Sequence, residues 1–307
     1  MICGWDNNID KLTLNLEDIG PSLFHIGNGG DIKKEEVKEM EDKKQLQSEK
    51  MSEQEASYFE LQAYWGVTKH MGGLKATREL IELSHINKGK YVLVVGCGVG
   101  TTPCYLAKRY GCRVVGVDLS ERMIDRSNKR AKRAGVNDRV EFRVADARNL
   151  PFEDDLFDVV FCESVNAFVE DKQRAASEYV RVIKPGGYVG LNECIWIKAP
   201  PPELVEYISR IMGAEFPTCN NSWKELLEYS GLRAIVARIY KVGVIGQWIN
   251  EVRQTDFLDF LRAWYRFLFL LIKSSDCRRF SKEALDMPKS IFGLFKYFGY
   301  GIYVGRK

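Results

Sequence analysis

The chain has 307 residues, of which 45% are hydrophobic, which can fill one large or two modest cores and excludes a disordered or fibrous protein. Its 45 Lys and Arg residues against 42 Asp and Glu leave a net charge of +3, so no overall electrostatic field favours nucleic acid as a partner. The eight cysteines include no Cys-x-x-Cys pair, so the sequence does not predict a metal site.

The N-terminal region, residues 1–57, is predicted to lie apart from the main domain. It begins with an extension of scattered apolar residues and continues, from residue 31, as a segment rich in Lys, Glu, Gln and Ser. This composition is typical of a solvated arm or an exposed helix. The first residues lack a basic region followed by an apolar run of secretory length, so we expect a cytoplasmic chain with reduced thiols.

Residues 58–242 show alternating helix and strand signals, which are typical of an open, parallel α/β sheet. Apolar, β-branched runs predict buried strands at 91–95, 113–117, 140–145, 158–162 and 188–193. Thr102 and Ser120 are predicted to cap the two helices that follow the first two strands. Two later runs, at 234–242 and 300–307, have no simple crossover helix between them, so we expect an antiparallel strand at one edge of the sheet.

Residues 243–298 are predicted to form a mainly helical insertion, and residues 299–307 then return to the core as its final strand. The apolar residues of the insertion that follow helical spacing are Phe257, Phe260, Leu261, Trp264, Leu268 and Leu271. We expect this helix to pack inward as part of a lid over an acceptor pocket. Basic residues further along, such as Arg278 and Lys282, leave open a peripheral membrane contact.

A glycine-rich loop at 96–100, GCGVG, lies between the first predicted strand and the next helix, where open α/β sheets bind nucleotides. Asp118 ends the second strand, where a carboxylate can accept hydrogen bonds from both hydroxyls of a ribose. Asp146 ends the third strand at the same edge and can meet an exocyclic amine. Thr101 stands where a dinucleotide fingerprint has its last glycine. The pattern therefore favours a nucleoside ligand over a dinucleotide.

Four segments carry a resemblance to a known family: VLVVGCGVG, VVGVDLS, VADARNLPFEDDLFDVVFCES and EYVRVIKPGGYV. In order and spacing they resemble the class I S-adenosylmethionine-dependent methyltransferases, particularly the small-molecule branch that includes quinone-biosynthesis enzymes. The resemblance covers roughly residues 60–242 and the final strand. It implies an α/β fold with a doubly wound, Rossmann-like, seven-stranded sheet whose last strand is antiparallel, and S-adenosyl-L-methionine as the cofactor.

The resemblance also implies residue roles. The residues implied to contact the cofactor are Tyr64, Gly96, Cys97, Gly98, Gly100, Asp118, Leu119, Met123, Asp146, Ala147 and Glu163. Asp118 would bind the ribose hydroxyls, and Asp146 with the Ala147 backbone would bind the adenine amino group. Glu163, at the end of the fourth strand, would face the sulfonium and the acceptor.

Methyl transfer from a sulfonium is an in-line displacement that depends mainly on alignment and on exclusion of water. If the acceptor must lose a proton, Glu163, Glu193 and His70 are the candidate bases, although a structural role for each stays open. Val94 stands where the family usually has an acidic residue near the cofactor's amino-acid end. The upstream residues Tyr64 and His70 are candidates to supply that contact.

The many aromatic and aliphatic residues near the end of the chain favour a small, apolar or aromatic acceptor. Nucleic acid is not expected, because the fourth strand is not followed by the Asn/Asp-Pro-Pro-Tyr motif of base-amine methyltransferases. Three alternatives stay open: arsenite methylation through Cys162 and Cys194, nucleic-acid or protein methylation, and cofactor binding without catalysis. The sequence also leaves open a homodimer.

Overall fold

The computed structural model describes residues 70–217, 222–242, 264–265, 267–269 and 271–307. The predicted N-terminal extension and arm, and Tyr64, lie outside the described residues, as do residues 243–263 of the insertion. The predicted domain boundaries therefore stay predictions.

The core is a single mixed sheet. Its strands are β1 (Tyr91–Val95), β2 (Arg113–Asp118), β3 (Val140–Val144), β4 (Phe157–Glu163), β5 (Ile183–Trp196), β6 (Arg233–Lys241) and β7 (Phe298–Arg306). They form a seven-stranded sheet in the order β3-β2-β1-β4-β5-β7-β6. β7 is antiparallel to both β5 and β6, and the other neighbouring strands are parallel. The predicted fold class, including the antiparallel last strand, is confirmed.

Helices connect the strands and cover the sheet. They are α1 (Gly73–Leu83), α2 (Thr101–Tyr110), α3 (Glu121–Ala134), α4 (Lys172–Val182), α5 (Pro202–Met212), α6 (Ser222–Tyr229), α7 (Ser275–Leu285) and α8 (Leu294–Tyr297), with 3₁₀ turns at Asn166–Phe168 and Lys289–Gly293. The central strands are apolar because they are covered on both faces: residues 92–95 of β1 and 159–162 of β4 are all buried.

The two predicted helix caps had different outcomes. Ser120 caps α3 as predicted, because its Oγ accepts a hydrogen bond from the Met123 N–H at 3.3 Å. The prediction for Thr102 is wrong: Gly100 is the N-cap of α2, and Thr102 lies inside the first turn. The Thr102 hydroxyl instead donates to the Glu163 carboxylate at 2.6 Å, so a tertiary contact takes the place of the cap.

The described part of the insertion is helical at 264–265, 267–269 and 271–273 and continues into α7. Trp264 and Leu268 are 52% and 53% exposed, so these two side chains do not pack inward as expected. Whether the insertion closes over the acceptor stays a prediction. Among the described helices, none is both long and apolar enough to cross a membrane.

Candidate active site

The glycine loop that follows β1 has a backbone that only glycine adopts without strain. Gly96, Gly98 and Gly100 have φ angles of 63°, 55° and 77°, in the left-handed region. A Cβ atom on Gly96 would overlap the Val165 side chain, and one on Gly100 would lie 2.9 Å from the Cβ of Ser127. The loop is therefore closely packed from behind, and its backbone is held at the carboxyl edge of the sheet.

Asp118 joins this loop to the next strand and helix. Its Oδ2 accepts a hydrogen bond from the Gly98 N–H at 2.8 Å, and its Oδ1 accepts one from the Ser120 N–H at 3.1 Å. The residue is only 1% exposed, and this burial raises the pKa of its carboxyl to about 6 against the lowering effect of the two N–H donors. The predicted loop and the predicted ribose acid are thus brought into direct contact.

At the predicted adenine end, Met123 is 2% exposed and Ala147 is 5% exposed, so both side chains are buried. Asp146 is engaged by a residue that the sequence analysis missed. Arg148 Nη2 lies 2.8 Å from its Oδ2, and the Arg148 N–H donates to its Oδ1 at 2.8 Å. An adenine amino group would therefore have to share the Asp146 carboxylate with Arg148.

Glu163, at the end of β4, lies in a compact polar cluster with His70, Thr77 and Thr102. The Thr77 hydroxyl donates to its Oε1 at 2.7 Å, and the Thr102 hydroxyl donates to its Oε2 at 2.6 Å. His70 Nε2 lies 2.9 Å from Thr77 Oγ1 and 3.6 Å from Glu163 Oε1. Because the one Thr77 hydroxyl proton is used on Glu163, His70 Nε2 must donate to Thr77.

Two of these four residues, His70 and Glu163, were predicted as site residues, and the structure brings them together. Thr77 and Thr102 were missed. Thr102 had a signal, since it follows the glycine loop closely, but Thr77 is buried in α1 and only the fold places it here.

The position of Glu163 relative to Val94 follows from the strand register. Val94 pairs with Phe161, and Glu163 is two residues further along β4. Side chains two apart on a strand share a face, so Glu163 lies on the Val94 face, one step nearer the strand ends. Val94 itself is 2% exposed and part of the apolar core. The neighbouring strand thus carries a carboxylate on the face where β1 has Val94.

Glu193 lies elsewhere. Glu163 pairs with Asn192, so the next residue, Glu193, points to the opposite face of the sheet. It is completely buried, and its Oε1 accepts from the backbone N–H groups of Val165 at 3.1 Å and Asn166 at 2.8 Å, and from Asn166 Nδ2 at 2.9 Å. Burial raises the pKa of its carboxyl. These bonds hold the turn after β4, whose Val165 packs beneath Gly96.

We expect Glu193→Gln to retain both stability and activity, because a glutamine oxygen can accept the three hydrogen bonds of Oε1 and Oε2 has no partner in the described structure. Because the pKa of Glu193 is raised in the folded protein, ionisation of its carboxyl lowers the free energy of unfolding as the pH rises. A neutral glutamine avoids this loss, so it is not expected to destabilise the protein at neutral pH. Glu193→Ala should instead lower the free energy of unfolding by about 3 kcal/mol, since three donors lose their acceptor. Denaturant unfolding of both variants measures the difference. If Glu193→Gln folds normally but loses turnover, Glu193 is a base and not a structural acceptor.

The thiols are not arranged for a shared ligand. Cys162 lies on the Glu193 face, 3.9 Å from Glu193 Oε1, whereas Cys194 follows Glu193 on β5 and points to the other face. Both are buried, and burial raises the pKa of each thiol. Among the residues that the structure describes, no three potential ligand side chains form a metal-binding group. This geometry argues against arsenite capture by Cys162 and Cys194.

Comparison with known proteins identifies the domain that contains this site. Residues 93–191 match the family described as "Methyltransferase domain". An uncharacterized protein of Haemophilus influenzae is 33% identical over 167 residues, which cover 53% of this chain and 66% of that protein. Phosphoethanolamine N-methyltransferase 1 of Arabidopsis thaliana is 36% identical over 140 residues, which cover 45% of this chain and 28% of that protein. The chain thus matches less than two thirds of the length of either relative.

Solved structures share the fold. Phosphoethanolamine N-methyltransferase 2 of Haemonchus contortus, in complex with S-adenosyl-L-methionine, superposes with a TM-score of 0.62 and 19% identity, covering 81% of this chain and 57% of that one. The predicted membership of the methyltransferase family is confirmed for residues 93–191. The named methyltransferases among the relatives and structural neighbours agree with the predicted enzyme class and with S-adenosyl-L-methionine as the predicted cofactor. The individual residue roles stay predictions.

Proposed function

We propose, from the premise that residues 93–191 form a methyltransferase domain, that this chain transfers the methyl group of S-adenosyl-L-methionine to a small molecule. The observation that supports the proposal most strongly is the contact between the Asp118 carboxylate and the Gly98 N–H, at 2.8 Å. It places a buried acid directly beside a loop in which Gly96, Gly98 and Gly100 lack Cβ atoms, so that a ligand can approach the backbone closely at these positions. A nucleoside fits this arrangement, with the ribose hydroxyls donating to Asp118.

The cofactor, when bound, supplies an electrophilic methyl group on a sulfonium. The chain's own residues would align it: loop 96–100 would hold its ribose and methionine portions, and Asp118 would fix the ribose. Leu119, Met123 and the Ala147 backbone would form the adenine side, and Asp146 would accept from the adenine amino group. Because these residues are buried or half-buried, their hydrogen bonds act in a medium of lower dielectric than water. The expected result is a fixed orientation of the methyl group toward the acceptor.

Glu163 is proposed to bind the ammonium group at the cofactor's amino-acid end, in place of the acid that Val94 lacks. Three facts support this: Glu163 lies on the Val94 face, it contacts Thr102 just after the glycine loop, and both of its oxygens already accept hydroxyl protons. A carboxylate fixed in this way is an acceptor whose orientation is set before the ligand binds. His70 would position Glu163 through Thr77. A separate base for the acceptor is not required, because methyl transfer depends mainly on alignment and on exclusion of water.

We expect Glu163→Gln to weaken binding of S-adenosyl-L-methionine by about tenfold, because a neutral amide loses a charge-assisted hydrogen bond to the ammonium. The fold should be retained, since the amide can still bond both threonine hydroxyls. Isothermal titration calorimetry measures the affinity, with Glu203→Gln, an exposed acid in α5, as the matched control. Unchanged cofactor affinity together with lost turnover would instead assign Glu163 to the acceptor.

The acceptor is proposed to be a small molecule with an apolar or aromatic part. Trp196 and Trp223, two of the aromatic residues that suggested this, prove to be core residues, each 2% exposed. The support that remains is the apolar composition of the insertion, which is predicted to close over the acceptor. A similar protein carries phosphoethanolamine in its name, so a charged acceptor is the alternative for this chain.

The function is tested by incubating the protein with methyl-labelled S-adenosyl-L-methionine and a metabolite extract, and then partitioning the products between water and an organic solvent. The proposal predicts one labelled small molecule, mainly in the organic phase, that is absent with an Asp118→Ala variant. If the label appears in an amine in the aqueous phase, the proposal of methyl transfer stands, but the proposal of an apolar acceptor is overturned. Label only in protein or nucleic acid would overturn the small-molecule proposal.

A further inference from the structure

The helical residues 264–265, 267–269 and 271–273 carry an apolar surface on their outer side. The exposed fractions are 52% for Trp264, 72% for Tyr265, 53% for Leu268, 47% for Phe269 and 74% for Ile272. At about 100° per residue, these five positions fall within one arc of about 140° around the helix axis. They form a continuous stripe of large side chains. Single apolar side chains scattered over a surface are normal, but a stripe of this kind indicates an interaction site.

The inner side of the same helix is already packed. Phe267 and Leu271 are half-buried against Cys277 of α7, together with Phe280, in a small apolar cluster separate from the main core. Arg278 Nη1 donates to the carbonyls of Leu271 at 3.1 Å and Ile272 at 2.9 Å, which ties the end of the helix to α7. By the same spacing of about 100° per residue, Phe267 and Leu271 fall beside the exposed arc and outside it, so the arc is not the side of the helix that packs on α7.

More exposed apolar side chains, and all of the chain's net charge, lie at the end of this helix and in the residues that follow it. Four further exposed side chains follow the helix: Leu285, Met287, Phe292 and Phe295. Together with the five above they make nine of the fourteen large exposed apolar side chains in the described part of the chain, a concentration in one stretch of the sequence. Residues 271–297 contain six basic and three acidic residues, a net charge of +3. This equals the net charge of the whole chain, so the remaining residues carry equal numbers of basic and acidic side chains.

We propose that this insertion surface, defined by the nine exposed apolar side chains between Trp264 and Phe295, binds the anionic surface of a lipid bilayer. Aromatic and aliphatic side chains beside lysines and arginines are the composition of interfacial helices, whose apolar face enters the boundary between headgroups and acyl chains. The basic residues Lys273, Lys282, Lys289 and Lys296 are exposed around it and attract anionic headgroups. A second copy of the chain is the weaker candidate, because a symmetric contact would bring two surfaces of the same positive charge together.

The test is flotation of the full-length protein with vesicles of phosphatidylcholine alone and of phosphatidylcholine mixed with phosphatidylglycerol, at low and high salt. The protein should float with the mixed vesicles at low salt and be released by high salt. The double variant Leu268→Glu with Ile272→Glu should bind at least about tenfold more weakly, because two charges enter the apolar stripe. Both side chains are exposed, so folding should not change.

Tyr229→Glu is the matched control, because Tyr229 is 82% exposed at the end of α6, outside the insertion surface, and this variant should float as well as the wild type. No flotation of the wild type, equal flotation with both vesicle types, or equal loss in the control variant would overturn the proposal. So would a dimer in light scattering that the double variant dissociates while vesicle binding is unchanged. Binding requires neither cofactor nor turnover, so its failure would leave the proposed methyl transfer unaffected.

Discussion

Asp118→Asn is expected to weaken binding of S-adenosyl-L-methionine and of its demethylated product alike, by about 10- to 100-fold. Both ligands carry the ribose, and each hydrogen bond to a charged acceptor contributes about 1.5–3 kcal/mol. The amide keeps the size of the side chain, so the packing at this 1% exposed position is preserved. Calorimetric titration of both ligands measures the effect. Asp125→Asn, at an exposed position in α3, is the control and should bind normally.

The same residue predicts a pH dependence. Burial raises the pKa of Asp118 to about 6, so its carboxyl becomes protonated as the pH falls through 6 and can no longer accept from both ribose hydroxyls. Cofactor affinity should therefore fall below pH 6, and the Asp118→Asn variant should lack this step.

The free energy of unfolding depends on pH in the opposite direction. The stability associated with protonated Asp118 is fully present below the pKa of the unfolded chain, about 3.9, and is lost as the pH rises through 6. An identical step in the variant would assign the pH dependence to another group.

Gly96→Ala should abolish cofactor binding and lower the free energy of unfolding by about 2–5 kcal/mol. A residue with a Cβ atom in the left-handed region costs about 1–2 kcal/mol, and forcing an extra methyl group into packed surroundings costs about 1–3 kcal/mol. Here the added Cβ would meet the side chain of Val165, so the loop must move. Thermal unfolding and calorimetry measure the two losses.

Gly135→Ala is the matched control for Gly96→Ala. Gly135 has a similar φ of 67°, but a Cβ atom there would have no neighbour within 4 Å, so only the conformational cost of about 1 kcal/mol is expected. Adding Val165→Ala to Gly96→Ala should recover part of the lost stability, because it removes the atoms that the new Cβ would meet. If the two glycine variants lose equal stability, the contact with Val165 does not control the loop.

The sheet and the cofactor loop were predictable because they depend on local signals. Buried strands need continuous β-branched runs, and a strand-to-helix turn with positive φ angles needs glycine, so β1 and loop 96–100 are visible in the sequence. The acid that ends β2 is visible too, since its position follows from the end of the strand.

Contacts that depend on register could not be predicted in this way. Glu163 and Glu193 both lie in largely apolar strands, and nothing in the sequence distinguishes their roles. They point to opposite faces because β4 and β5 are paired in one register, in which Glu163 lies opposite Asn192. Likewise, nothing in the sequence near Thr77 indicates that its hydroxyl meets a carboxylate 86 residues away. Such pairs are fixed by tertiary packing and not by local pattern.

The central claim is that loop 96–100 and Asp118 form a nucleoside site for S-adenosyl-L-methionine. Its most direct test is calorimetric titration of the wild-type protein with S-adenosyl-L-methionine, with its demethylated product and with a nicotinamide dinucleotide. The structure predicts saturable binding of the first two, at micromolar dissociation constants or tighter, and much weaker binding of the dinucleotide. Binding of the dinucleotide alone, or no heat with any of the three ligands, would contradict it.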